Sequence, residues 1–355
     1  MTAVTTVTGV IDSGDLGLCL SHEHLLNDVT SWWTPPAQER HAFLVDAPVT
    51  MDILWELRQD PFANRDNCRL DDEDRAVDEL TRFVDLGGRS ILEATSASIG
   101  RDPQGLARIS ERTGVAIVMG AGLYLDSSMP EETRSWSAQQ VCEAILADLE
   151  VGVEGIRAGF IGEIGVSSDF TERERVSLQG AAMAQARSGL PMQVHLPGWF
   201  RLGEEVLDLA EQAGADPRSI VLCHMNPSGE DLDYQERLAR RGAWLQYDMV
   251  GMEVFYADQG VQCPSDEDNA RHIVRLVQRG WGGQILVSSD IFLKSLLRCF
   301  GGPGYAHVIE YFLPRLQRHG LTHEQALSLV TDNPRRLFDG TAASNPHEEK
   351  ASPRS

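Results

Sequence analysis

The sequence predicts an α/β fold, a (β/α)8 TIM barrel with a small N-terminal hairpin and long loops after its strands. The first observation is a series of eight short apolar runs bounded by Gly or polar residues, which is typical of strands buried on both faces. The second is that stretches with helical periodicity alternate with these runs. The third is length, because 355 residues fit one barrel.

The predicted strands occupy residues 18–22, 90–95, 115–120, 160–165, 192–196, 220–224, 244–248 and 285–290. Helical periods occupy residues 72–85, 171–185, 203–213, 266–279, 304–318 and 322–332. Thr171 and Glu174 match a capping box at the start of one of them. The alternative is an open doubly wound sheet, which normally carries a GxGxxG loop after its first strand. No such loop follows residue 22.

Three connections are longer than the others, at residues 27–70, 249–265 and 291–303. Each follows the C-terminal end of a predicted strand, so we expect them to cover the barrel mouth as lids or pocket walls. Aromatic residues in or near these loops are candidate walls, among them Trp32, Trp33, Trp199, Phe255 and Tyr256. We expect one barrel domain over residues 1–340 and a disordered tail over residues 341–355.

Charge narrows the classes of partner. The chain has 31 Lys and Arg against 53 Asp and Glu, a formal net charge of −22. This balance argues against binding nucleic acid or an anionic membrane. No run of about 18 apolar residues exists, and the N-terminus lacks the basic start and apolar segment of a signal peptide. We therefore expect a cytoplasmic protein. Its expected partners are a small-molecule substrate, either anionic or neutral, and a second copy of the chain in a homodimer.

Metal-capable side chains stand at the ends of the predicted strands. His22 and His24 form an HxH pair, and a strand period of two puts both imidazoles on one face. Taken alone, such a pair is more often two ordinary core or surface histidines. Two rings on one face are nevertheless close enough to converge on a single ion.

Four more candidates follow on later strands. Glu163 lies in an apolar run, where a carboxylate is costly unless it is paired or binds a metal. His195 and His224 end two strands, where each alone is compatible with a hydrogen-bonded core histidine. Asp290 ends the last strand, where a helix N-cap is the alternative. Jointly, however, five of eight strands place a ligand at the end where barrel active sites form. Six ligands are too many for one tetrahedral zinc and suit two ions.

At these residues the sequence resembles the phosphotriesterase family of the amidohydrolase superfamily, most closely its phosphotriesterase-related branch. The resemblance extends over residues 4 to about 340. The matching segments are LSHEHL at 20–25, AGFIGEIGVS at 158–167, VHLPG at 194–198, LCHMNP at 222–227, LVSSDI at 286–291, GGPGYAHV at 301–308 and DNPRRLF at 332–338.

The resemblance implies two divalent metal ions per chain, usually zinc. His22, His24 and Asp290 would hold the buried ion, and His195 and His224 the more exposed one. Glu163 would bridge them, where the phosphotriesterases proper use a carbamylated lysine. That departure weakens any transfer of organophosphate activity.

The expected mechanism follows from charge. Two cations lower the pKa of a bridging water, and the resulting hydroxide attacks a carbonyl carbon or a phosphoryl phosphorus while Asp290 takes the proton. Tyr124 follows the third strand, and in related lactonases a tyrosine at this place contacts the substrate. The remaining substrate-binding candidates are cations that could bind a substrate anion: Arg201, Lys294 and Arg298. For Lys294 and Arg298 the alternative is a salt bridge to a nearby acid.

The leading hypothesis is therefore a two-metal hydrolase of a small lactone, ester or N-acyl amide. The resemblance implies lactonase activity for some relatives and N-acyl-taurine cleavage for others. A phosphotriester hydrolase is the second enzymatic interpretation. A non-catalytic small-molecule-binding barrel is the alternative from another class. It predicts a missing ligand, and all six ligands are present.

Overall fold

Eight parallel strands, neighbours in space in the order they have in sequence, form the centre of the computed structural model, which describes residues 2–340. Helices surround them, so the predicted (β/α)8 barrel is confirmed. The strands are β1 Leu18–Glu23, β2 Gly88–Glu93, β3 Ala116–Ala121, β4 Phe160–Gly165, β5 Met192–His195, β6 Ile220–Leu222, β7 Trp244–Tyr247 and β8 Ile285–Val287.

Five predicted strands are too long at their C-terminal ends. β2 and β5 end two and one residues before the predicted bounds of 95 and 196, and β6, β7 and β8 end two, one and three residues before the predicted bounds of 224, 248 and 290. His224 and Asp290 have φ values of 58° and 50°, which no strand residue adopts. The chain therefore leaves the sheet before these residues. Backbone strain of this kind in non-glycine residues is concentrated at functional sites.

The helices are α1 Leu54–Gln59, α2 Glu73–Asp85, α3 Pro103–Thr113, α4 Ala138–Glu150, α5 Glu172–Ser188, α6 Gly203–Gln212, α7 Leu232–Arg240, α8 Asp266–Gln278, α9 Leu313–Arg318, α10 His323–Ser328 and α11 Asp332–Asp339. The capping box of Thr171 and Glu174 at α5 is confirmed. The helices α3, α4 and α7 complete the alternation that the sequence pattern only partly revealed.

Two predicted helices differ from the structure. The helix expected over residues 304–318 begins with the π-helical turn Val308–Phe312, because Gly304 has a φ of 65° and lies outside a right-handed helix. The helix expected over residues 322–332 ends at Ser328, and α11 follows as a separate helix. Asn333 of α11 donates to the carbonyls of Gly282 and Ile285, which ties the last helix to the start of β8.

The predicted N-terminal hairpin pairs Ala3–Thr6 with Gly9–Asp12. Two short ribbons shape the long loops above the barrel mouth: Asn27–Asp28 pairs with Arg69–Leu70, and Phe255–Tyr256 pairs with Val261–Gln262. The prediction for residues 341–355 lies outside the described residues. Among residues 2–340, no helix has the length and apolar character needed to cross a bilayer.

Candidate metal centre

All six predicted ligands meet at the C-terminal end of the barrel. Two groups of three have their ligand atoms within 4.8 Å of one another: His22, His24 and Glu163 form one, and Glu163, His195 and His224 form the other. Asp290 completes a further such group with His22 and His224. All six side chains are buried or nearly so. Glu163 is thus shared by the two histidine pairs.

Individual distances define this sharing. Oε2 of Glu163 lies 3.7 Å from Nε2 of His22, 3.1 Å from Nδ1 of His195 and 3.3 Å from Nε2 of His224. Its other oxygen, Oε1, lies 3.8 Å from Nε2 of His24. A single carboxylate therefore faces four imidazoles, with Oε1 turned toward His24 and Oε2 toward the other three rings.

Asp290 lies on the HxH side of the cluster. Its Oδ1 is 3.2 Å from Nε2 of His24 and 3.6 Å from Nε2 of His22. The ligand set that the resemblance implies for the buried ion, His22, His24 and Asp290, is therefore brought together.

Outer hydrogen bonds orient three of the four histidines. Gln193 Oε1 is 3.0 Å from Nδ1 of His22. Thr95 Oγ1 is 2.9 Å from Nδ1 of His24, and it donates in turn to Glu93. Each contact engages Nδ1 and leaves Nε2 of the ring facing the cluster. A partner on the second ring nitrogen is what metal-binding histidines have.

Asp248 is the outer partner of His224, and sequence reasoning missed it. Its Oδ1 is 2.9 Å from Nδ1 of His224, and it also accepts the backbone N–H of that residue. The side chain of Asp248 is fully buried. One signal was available, since Asp248 is the carboxylate at the end of the seventh predicted strand. Asp248 positions the His224 ring rather than facing the cavity.

Glu23, between the two ligands of the HxH pair, was also missed. Its carboxylate accepts the Ser288 hydroxyl and the backbone N–H groups of Ser289 and Ile291, at 2.7–2.8 Å. These contacts join β1 to the segment after β8, at the seam where the barrel closes. Glu23 therefore holds His22 and His24 beside Asp290.

The electrostatics of the cluster favour ionised carboxylates. Burial raises the pKa of Glu163, but the charges of His22 and His195 outweigh it and hold that pKa well below its usual range. Burial likewise raises the pKa of Asp290, but the hydrogen bond with His24 and the neighbouring imidazoles outweigh this effect. The pKa of Asp290 is therefore lower than usual. Two carboxylates that stay ionised among imidazoles are suitable cation ligands.

The donor set fits metal ions. Nε2 of His22 is buried, has no hydrogen-bond partner in the described residues, and faces both Glu163 and Asp290. An orphaned buried nitrogen beside two carboxylates is costly unless a cation lies between them. Imidazole with carboxylate is the ligand chemistry of zinc and similar divalent ions.

Cys223 lies on the outer side of His22, where its Sγ is 3.5 Å from Nδ1 of that ring. With His22 and Asp248 it forms another group whose ligand atoms lie within 4.8 Å of one another, but it does not line the cavity. Burial and the neighbouring carboxylate of Asp248 raise the pKa of its thiol well above the usual value.

A cavity of about 540 Å³ opens above the cluster. Its floor includes His24, Glu163, His195, His224 and Asp290. The three long loops supply walls as predicted, with Trp32 and Phe62 from the first, Met249 and Tyr256 from the second, and Phe292 from the third. Trp199 also lines the cavity. Trp33 and Phe255, the other two aromatic candidates, are not among the lining residues.

Tyr124 lies where the sequence placed it. It lines the cavity, and its hydroxyl is 3.2 Å from Nδ1 of His195. Burial and the charge of Glu163 raise the pKa of this hydroxyl well above its usual value, so it stays protonated. It can therefore donate a hydrogen bond beside the cluster.

The three predicted substrate-binding cations do not reach the cavity. Lys294 is turned to Asp66, with 2.6 Å between Nζ and Oδ1, and Arg201 pairs with Asp231 at 3.3 Å. Arg298 is exposed, and its backbone N–H bonds Glu79. The alternative of a salt bridge holds for Lys294 but not for Arg298, which forms none within residues 2–340. Arg201, expected only as an anion-binding candidate, also forms a salt bridge. The loop after β8 carries Lys294 outward to the first long loop, since its backbone N–H also bonds Asn67.

Replacing Lys294 with alanine is therefore expected to lower stability and leave KM unchanged. Burial raises the pKa of Asp66, but the hydrogen bond from Lys294 and other contacts outweigh this effect, so the pKa of Asp66 is lower than usual. The contribution of this pair to the free energy of unfolding is fully present above the ordinary pKa of an Asp side chain. It is lost as the pH falls through the lowered pKa of Asp66 in the folded protein. We expect a loss of about 1 kcal/mol at pH 7 that shrinks in acid, measured by urea unfolding.

Arg298→Ala is the matched control, because Arg298 has no ion pair within residues 2–340. It should change stability by less than about 0.5 kcal/mol. A rise in KM for Lys294→Ala alone would restore Lys294 as a substrate contact.

A barrel with histidine–carboxylate clusters at the C-terminal ends of its strands is the arrangement of a metal-dependent hydrolase. The chain belongs to the phosphotriesterase family, whose sequence profile matches residues 2–338. It is 34% identical over 337 residues to an N-acetyltaurine hydrolase of Xenopus tropicalis, covering 94% of this chain and 96% of that protein.

Two solved structures are similar. A resiniferatoxin-binding protein from Rhodobacter sphaeroides has a TM-score of 0.95 and 53% identity, with 97% of each chain covered. A phosphotriesterase homology protein from Escherichia coli, complexed with phosphate in its active site, has a TM-score of 0.76 and 25% identity. In that pair 91% of this chain and 99% of the other are covered.

Proposed function

We propose that the protein is a two-metal hydrolase that cleaves a small carbonyl substrate, an N-acyl amide or an ester or lactone. The observation that carries the proposal is Glu163, a single buried carboxylate shared by two histidine pairs. A cluster for one ion would need only one of these pairs. His22 and His24 with Asp290 would hold one ion, and His195 and His224 the other.

When bound, the two ions would supply Lewis-acid polarisation of the carbonyl and activation of water. The protein supplies the rest. The Asp290 carboxylate lies at the cavity floor, where it can take the proton of the attacking water and return it to the leaving amine or alkoxide. The protonated Tyr124 hydroxyl can donate to the substrate oxygen. Hydrolysis adds OH to the acyl carbon and H to the leaving group.

The relatives support an amide as the first substrate class to test, because several are named N-acetyltaurine hydrolase. Lactones and aryl esters pass through the same kind of oxyanion and belong in the same panel. A phosphotriester belongs in it as the alternative enzymatic substrate. Cleavage of only the phosphotriester would overturn the carbonyl assignment.

A second candidate is a barrel that binds a small molecule without chemistry. One observation favours it: the similar Rhodobacter sphaeroides protein is described as binding resiniferatoxin. Both candidates predict a ligand in the cavity, but only the hydrolase predicts turnover that depends on metal. A panel with no turnover by the metal-loaded protein would favour binding alone.

Metal content is the direct test. We expect elemental analysis of purified protein to give close to two divalent ions per chain, with zinc the expected ion. A strong chelator should abolish hydrolysis, and added metal should restore it. Full activity with one tightly bound ion would contradict the two-ion assignment and leave Glu163 as a ligand of a single site.

A further inference from the structure

Outside the metal cluster, the only charged side chain among those lining the described cavity is Asp258. The cluster carboxylates Glu163 and Asp290 would be neutralised by bound ions. No Lys or Arg lines the described cavity, and two cations of the surrounding loops are engaged elsewhere, as Lys294 pairs with Asp66 and Arg201 with Asp231. The outer part of the cavity is therefore negative.

Asp258 lies in the turn of the ribbon formed by Phe255–Tyr256 and Val261–Gln262. Within residues 2–340, neither Asp258 nor the nearby Asp60 forms an ion pair with Lys or Arg. Partial desolvation by the surrounding loops and the charge of Asp60 raise the pKa of Asp258, although part of its side chain is exposed. Two acids without a Lys or Arg partner disfavour a third negative charge beside them and favour a positive one, although the charge of nearby His41 partly offsets the rise that burial causes in the pKa of Asp60.

The wall between Asp258 and the metal cluster is aromatic. Trp32 and Phe62 are stacked with ring centroids 5.4 Å apart, and Phe62 contacts Tyr256 at 5.1 Å. Trp199 packs edge-on against Tyr256 at 5.7 Å. Because Tyr256 belongs to the ribbon that carries Asp258, the wall runs from the cluster toward that acid. Such a wall buries an apolar body the size of an aromatic ring.

We propose that the substrate has an apolar, ring-sized body and a neutral or cationic outer end, and that Asp258 excludes substrates with an anionic outer end. The inference rests on the proposed hydrolase function and narrows its substrate class. N-acetyltaurine carries a sulfonate at its outer end, so this cavity is unsuited to the compound after which the relatives are named. Asp258 acts on specificity and takes no part in bond cleavage.

The test uses N-acetylbenzylamines that share the same N-acetyl amide, whose cleavage is followed as released acetate, and differ only at the para position. The para groups are a carboxamide, a carboxylate and an aminomethyl group, which are neutral, anionic and cationic. For the zinc-loaded protein we expect kcat/KM for the carboxylate to be about tenfold below that for the carboxamide. The aminomethyl compound should equal or exceed the carboxamide.

Variants assign the effect to one residue. Asp258→Asn should reduce the tenfold difference to about twofold, and Asp258→Lys should make the carboxylate the preferred substrate. Asp258 is exposed in a turn, so neither change threatens the fold. Asp15→Asn removes an equal charge from an exposed position beside the N-terminal hairpin and should leave the ratios unchanged. Equal or better cleavage of the carboxylate by the unaltered protein, or ratios unmoved by Asp258→Asn, would overturn the proposal.

Failure of the hydrolase assignment gives a different result. If no compound of the series or of the ester panel is cleaved, the same three compounds are titrated as ligands. Trp32 and Trp199 line the cavity and report binding by fluorescence. The dissociation constants should follow the same charge order and the same response to Asp258→Asn. An anion that binds as tightly as the neutral compound would overturn the inference here too.

Discussion

Replacing Glu163 with glutamine is expected to remove both metal ions and hydrolytic activity together. Glutamine keeps the shape of the side chain but removes the negative charge that faces four imidazoles. Its amide group also turns N–H donors toward positions where cations would lie. We expect metal affinity to fall by more than roughly 100-fold, beyond what loss of an outer partner usually costs. Elemental analysis after dialysis and turnover of the best substrate measure the two effects.

Glu174→Gln provides the matched control. Glu174 is also fully buried, but it accepts hydrogen bonds from Ser167 and Thr171 at the start of α5, away from the cluster. Its variant should unfold more easily and keep both ions. If Glu163→Gln keeps both ions and near-normal turnover, Glu163 is only part of a buried ion pair.

Asp290→Asn is expected to separate chemistry from metal binding. An asparagine oxygen can still coordinate weakly, whereas the amide cannot accept a proton. We expect kcat to fall on the order of 10²–10⁴-fold, the range typical of lost acid–base catalysis, with less metal loss than in Glu163→Gln. Steady-state kinetics and metal analysis on the same preparation decide between the two effects.

Asp102→Asn is the corresponding control, because Asp102 caps α3 through the N–H of Gly105 and asparagine caps equally well. It should change neither kcat nor metal content. A kcat within about threefold of the unaltered protein for Asp290→Asn would contradict the proton-transfer role.

The barrel and the six clustered residues could be predicted because one rule governs both. Short apolar runs mark the strands, and parallel strands in a barrel bring their C-terminal ends to one place. The shared position of these residues therefore marked them as one set in the sequence: His22, His24, Glu163, His195, His224 and Asp290. Each residue alone was also compatible with a purely structural role. Only their shared position at the strand ends favoured metal binding.

What the sequence did not reveal depends on contacts between distant segments. The direction of Lys294 is set by Asp66, which lies 228 positions away in the chain. The early end of β8 reflects a φ of 50° at Asp290, which the packing of the cluster imposes against the local preference. The role of Asp248 as the hydrogen-bond partner of His224 depends on a contact between the ends of two different strands, which the local sequence does not show. Local patterns carry no information about such partners.

The hydrogen bonds of Glu23 to the segment after β8 join positions 265–268 residues apart in sequence. A contact between such distant positions forms only after nearly the whole chain has been synthesised and has become compact. Closing so long a loop costs conformational entropy, and contacts formed earlier must shorten the effective loop first. The same contact holds His22 and His24 beside Asp290. Assembly of the site is therefore a late folding event, and an N-terminal fragment that ends before β8 lacks it even when its own strands have formed.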